Sequence, residues 1–249
     1  MTRSGTAAAA CAIALWLAGT GVVAAQTRPF SLTLADTPLA GQSVLLIALV
    51  TVLSLAPGIA IMVTCFPFIV TVLAILRQAI GLQQSPPNML IVSLALFLTW
   101  FVMEPVLTEA WLDGIRPLTE GTIDVGTAFD RTMAPFSAFM AARTDPDTFH
   151  DLAILRPATA AIAPSAAAPL SLLVPSFMLS EIARAFEIGF ILFLPFLVID
   201  MVVSAVLMAM GMMMVPPAVV SLPFKLAFFV VADGWSLVSG ALVQSYIQV

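Results

Sequence analysis

Very few residues in this chain are placed to do chemistry, and those few sit in unusual surroundings. Asp200, Lys225 and Asp233 each fall inside a long apolar run. An ionised side chain in such a run costs about 2.5–3.5 kcal/mol on insertion scales, so it persists where it pairs or lines water. Lys225 and Asp233 are separated by roughly two helical turns, about 12 Å of rise, so they cannot meet on one helix. Each therefore needs a partner on another helix or another chain, and Glu181 and Asp200 are the candidates for Lys225. Two readings stay open: ion pairs that fix an assembly, or a proton-relay or gating role.

Other chemistry is excluded by type and spacing. The single histidine, His150, lies in a polar stretch and reads as a solvated side chain. With one histidine there is no His-Glu-x-x-His zinc site, and no phosphate-binding Gly-x-x-x-x-Gly-Lys-Ser/Thr loop is present. Asp200 and Asp233, in "LVIDMVV" and "VVADGWS", lack the Gly-x-Gly-Asp context of intramembrane aspartyl proteases. Of the two cysteines, Cys11 lies in a leader-like segment, and Cys65 reads as a small buried hydrophobe. The sequence points to no enzyme, cofactor or metal.

The remaining unusual feature is "MGMMMVPP", residues 210–217. As a helix, Met212, Met213 and Met214 would sweep about 200°, so they cannot share one lipid-facing stripe. The pattern suits a helix end or loop, and Pro216-Pro217 should break the helix there. Methionine is flexible and polarisable and conforms to irregular partners. The run reads either as core filler at a helix terminus or as a deformable seal.

The elements that must position these residues are hydrophobic. Of the 249 residues 61% are hydrophobic and 9% charged, against about 25% charged in a soluble domain. The net charge of −5 argues against nucleic acid as a partner. The expectation is an all-α, integral membrane-type protein of long kinked helices and hairpins.

Residues 1–25 read as a cleaved signal peptide, with Arg3 as the basic start and Val23-Ala24-Ala25 as the cleavage context. Residues 26–107 read as N-terminal hydrophobic helices. Their first apolar run, 44–76, would be about 50 Å long as one helix, too long for a bilayer core of about 30 Å. Pro57-Gly58 and Pro67 should kink or break it. Residues 108–176 read as a polar extracytoplasmic helical region, amphipathic at Phe136, Phe139 and Met140, ending in an extended Ala/Pro-rich connector. Residues 177–249 read as C-terminal hydrophobic helices. The arginines of the polar region conflict with the positive-inside rule, which weakens for loops beyond about 60 residues. No internal repeat is evident.

Three segments carry a resemblance: "LRQAIGLQQSPPN" (76–88), "LALFLTWFVMEPV" (94–106), and the block 180–235 that opens "SEIARAFEIGF" and closes "FFVVADGW". They resemble the FliP family of flagellar biosynthesis proteins and its counterparts in virulence injectisomes. The form Met-Met-Met-Val-Pro-Pro and the signal peptide are more similar to the flagellar branch. The resemblance implies a pore-forming core subunit of the type III protein export gate, in the flagellar basal body at the bacterial inner membrane.

The resemblance also implies partners. These are a homo-oligomer of about five copies, FliQ-like and FliR-like subunits, FlhB-like and FlhA-like export proteins, and unfolded flagellar proteins as cargo. It implies that Met210, Met212, Met213 and Met214 form a channel gasket, and that Glu181 and Lys225 are subunit-contact charges. Two positions depart from the family pattern. Phe68 and Ala183 stand where a basic residue is common, although Arg184 adjoins the second. The alternatives are the homologous export-gate subunit of a virulence injectisome and a proton-coupled small-solute transporter, which broken helices bearing charge would also suit.

Overall fold

The computed structural model describes residues 39–81, 87–212 and 214–247. The expected signal peptide lies outside these residues. The chain divides into two units, Met1–Val52 and Leu53–Val249. In the first, the described residues are wholly helical. Every regular element among the described residues is a helix, as the apolar runs required.

Helix α1 spans Leu39–Met62 and α2 spans Phe66–Ile80. The expected break in the first apolar run is present, at residues 63–65. Pro57 lies inside α1 and does not end it. Pro67 occupies the first turn of α2, where the missing N–H costs nothing. Thr64 Oγ1 donates to Ile61 O at 3.0 Å, which competes with continuation of α1. Gly81 closes α2 in the left-handed region, with φ 88°.

Helix α3 spans Asn88–Ala110, passes through a π-helical turn at Trp111–Ile115, and ends in the short α4, Arg116–Thr119. The polar region folds into α5, Val125–Arg143, and α6, Pro146–Ala153. Each starts on an aspartate cap. Asp124 accepts from the backbone N–H of Gly126 and Thr127, and Asp145 accepts from Thr148. These bonds favour the ionised carboxylate and lower both pKa values. His150 is exposed on α6, as its polar setting required.

Helix α7, Leu170–Ala209, is 40 residues long. It corrects the sequence reading twice, because the Ala/Pro-rich stretch is a succession of turns rather than an extended connector, and it ends at Pro169. Pro169 is the N-cap and Pro175 lies within the helix. Burial of Leu172, Leu173 and Phe177 offsets the one backbone bond that Pro175 forgoes. The expected segment boundaries at 107/108 and 176/177 therefore fall inside α3 and α7. Helix α8, Pro217–Val231, returns along α7, and α9, Gly234–Ile247, leaves it at a bend of 61°.

Two apolar clusters hold the second unit together. In the first, one face of α2 (Phe68, Ile69, Val72, Leu73, Leu76) packs on α3, α7, α8 and α9. Gly189 of α7 permits the closest approach, because a Cβ there would lie 2.5 Å from Ile75 Cδ1. The second cluster joins Met140 of α5 and Phe149 of α6 to the first turns of α7. Among the described residues two helical stretches, Asn88–Thr119 and Leu170–Ala209, are long and apolar enough to cross a membrane.

Candidate functional site

The methionine run is the tip of the α7–α8 hairpin. Met210 is the C-cap of α7. Gly211 follows with φ 77°, the left-handed conformation that glycine adopts without a Cβ penalty. Its N–H donates to Met208 O, and the Met212 N–H reaches back to Leu207 O, each at 3.0 Å. This 5→2 and 6→1 pair is the Schellman motif, which satisfies the last free carbonyls of the helix. Pro216 then caps α8, whose first residue is Pro217.

The helix thus ends at the first methionine, and the run projects from a tight loop. Met210, Met212 and Met214 are 66%, 37% and 97% exposed in the single chain, so they are not core filler within it. Met213 lies outside the described residues. Behind the tip, a 590 Å³ apolar cavity lies between the hairpin's arms, lined among others by Val203, Val206, Met210, Met212 and Val220.

The charges embedded in the apolar runs resolve into separate groups. Of the two candidate partners for Lys225, the structure selects Asp200. Lys225 Nζ lies 2.6 Å from Asp200 Oδ2 and donates to Ala79 O at 3.1 Å. Ser221 Oγ donates to Asp200 Oδ1 at 2.6 Å. Ser221 and Lys225 stand one turn apart on α8, so both reach the same carboxylate.

Glu181 belongs to a second network and is fully buried. Its Oε1 accepts from Arg143 Nε at 3.1 Å and from Arg184 Nη1 at 3.3 Å. Its Oε2 accepts from the Tyr246 hydroxyl. Arg143 also donates to Ser245 O at 3.0 Å, and its guanidinium lies over the Tyr246 ring, 4.1 Å from the centroid. Helices α5, α7 and α9 meet on this one carboxylate. The water-facing reading of the polar region fails at Arg143, which is 5% exposed.

Asp233 joins neither group. It holds the corner between α8 and α9 with φ 48°, a conformation aspartate tolerates better than most residues. Gly234 follows because a Cβ there would lie 2.1 Å from the Phe229 ring. Among the described residues the exposed Asp233 carboxylate has no cationic partner.

Sequence reasoning missed Arg143, Ser221 and Tyr246. Two signals were available. Tyr246 is the only tyrosine, and Arg143 continues the apolar face of Phe139 and Met140 on α5 at helical spacing.

A family model described as the FliP family matches residues 49–242. The chain belongs to the FliP family. The flagellar biosynthetic protein FliP of Caulobacter vibrioides is 54% identical over 203 residues, covering 81% of this chain and 75% of that protein. The protein of the same name from Rhizobium meliloti is 48% identical over 236 residues, covering 93% and 96%. That of Bacillus subtilis is 44% identical over 207 residues, covering 82% and 92%. The FliP match takes in the methionine hairpin, Asp200, Lys225, Asp233 and Glu181, and stops short of Tyr246.

Proposed function

We propose that this chain is a pore-forming core subunit of the flagellar type III protein export gate, passing unfolded flagellar proteins across the bacterial inner membrane. It acts in transport and assembly rather than in catalysis. Its copies assemble with one another and with FliQ-like and FliR-like subunits, next to FlhA-like and FlhB-like export proteins. The observation that carries this reading is the hairpin tip. Flexible thioether side chains stand exposed at a Schellman turn that ends a 40-residue helix. Brought together around an axis by several copies, such tips close a channel to ions and yield to a passing polypeptide.

The lengths of the helices support the same reading. At ~1.5 Å per residue α7 is about 60 Å long, twice a bilayer core of about 30 Å. A helix of that length suits an assembly that rises out of the membrane plane. Family membership and the flagellar names of the relatives favour the flagellar over the injectisome branch. Glu181 and Lys225, which the resemblance marks as subunit-contact charges, are also bound by groups of their own chain. The test is replacement of Met212, Met213 and Met214 by alanine in the complex assembled with its partners. Membranes holding the variant complex should leak ions while assembly persists. An unchanged leak from a fully assembled complex would overturn the seal.

A further inference from the structure

Near its tip, the hairpin that presents the methionines carries an open apolar groove of 590 Å³ lined by both arms. Its polar restraint lies farther back. On α7 stands Asp200, and on α8 stand Ser221 and Lys225, which both bind its carboxylate at 2.6 Å. The Lys225 ammonium also binds Ala79 O. Ala79 is in the last turn of α2, whose final carbonyls have no intrahelical donor and carry the negative end of the helix dipole. One ammonium therefore ties three helices at a single point. The side chain of Lys225 is 8% exposed and that of Asp200 39%. Removing either partner leaves a charge with no counterpart in apolar surroundings.

We infer that Asp200, Ser221 and Lys225 form a clasp that sets where the methionine tip stands, and so are positioning residues for the channel seal. This inference rests on the gasket reading above. Asp200 is about 15 Å of helix from Met210, and over that lever a tilt of roughly 10° displaces the tip by about 2–3 Å. That is more than half the contact width of a methyl group, about 4 Å, and enough to part methionines packed in a ring. None of the clasp's polar bonds goes to Met210, Met212 or Met214, so among the described residues it acts through the position of the arms. Its link to Ala79 also makes the tip sensitive to any shift of α2.

The experiment compares Asp200→Asn, Lys225→Met and Lys225→Arg in the complex assembled with its partners. Two quantities are read: ion leak across the membrane, and the distance distribution between spin labels on Val203→Cys and Val220→Cys in the two arms. The first two variants should broaden the distribution and raise the leak several-fold. Lys225→Arg, which keeps the charge and its donors, should restore both. A narrow distribution and a tight seal in assembled Asp200→Asn and Lys225→Met complexes would overturn the clasp.

If these variants stay tight while the triple methionine variant leaks, the clasp falls and the gasket stands. If the arms loosen but neither set leaks, the gasket reading falls, and the role of the clasp in the seal falls with it. Where the charge variants do not assemble, Ser221→Ala decides the matter, since it removes one hydrogen bond and no charge. It should raise the leak, and an unchanged seal in an assembled Ser221→Ala complex counts against the clasp.

Discussion

Glu181 illustrates how a single side chain can organise a membrane-type subunit. It receives two guanidinium groups and a phenol, yet has no exposure of its own. Breaking a buried ion pair from one side costs about 3–5 kcal/mol, because the other charge stays buried without a partner. Here Glu181→Ala strands Arg143, one of whose guanidinium nitrogens already lacks an acceptor. Glu181→Gln keeps the volume and one acceptor oxygen, but it replaces the other with an NH2 donor and loses the charge. The expected order of thermal stability of the purified protein is therefore wild type, then Gln, then Ala. For a chain of this size the Ala variant should melt about 10 °C lower, at roughly 2–4 °C per kcal/mol. Equal melting temperatures for all three would show that the network adds nothing. The sequence exposed Glu181 as an oddity but not its partners. Arg143 and Tyr246 lie far from it along the chain, and pairing across such distances is set by tertiary packing, which periodicity does not encode.

At the scale of elements, the sequence made the existence and type of most helices legible and left their ends less so. The long apolar runs announced α1, α2, α3, α7 and α8, and Pro216-Pro217 marked the break after the methionine run. Proline was the poorer guide. Pro57, Pro105, Pro175, Pro195 and Pro223 all lie within helices. Each removes only one backbone bond, which surrounding packing can outweigh. The π-helical turn at Trp111–Ile115 left no periodic signature at all. Gly114 lies within this turn, where it packs closely on α5. A Cβ there would lie 2.0 Å from Thr132 Oγ1 and 2.7 Å from Thr132 N. Since backbone is among the atoms met, rotation of a side chain cannot relieve the overlap. Gly114→Ala is expected to cost about 1–3 kcal/mol, the range for overpacking. Protease accessibility of α5, residues Val125–Arg143, should rise in the variant. An undisturbed cleavage pattern would mean that the packing of this turn on α5 absorbs the added methyl group without loosening.

For the molecule as a whole, the outstanding feature is how much apolar surface the single chain leaves open. On α7 alone, Phe186, Phe190, Ile191, Val198, Met201 and Val202 are each more than half exposed. Lipid can cover part of such a surface. It suits α7 poorly as a sole covering, because the helix is about twice as long as the ~30 Å hydrocarbon layer. Apolar patches beyond a few hundred Å² mark interaction surfaces on soluble parts of a protein. The excess length of α7 therefore calls for protein neighbours outside the bilayer, and identical copies arranged about an axis are the simplest source. Co-expression with FliQ-like and FliR-like proteins, followed by extraction in mild detergent, should yield one discrete multimer with several copies of this chain. Its mass, measured by light scattering or by native mass spectrometry, should not vary with protein concentration. Particles should show a central axis on which the Met210–Met214 tips converge. A monomer in the presence of both partners would leave the open face of α7 without a covering, and would remove the geometric basis for a seal built from several tips.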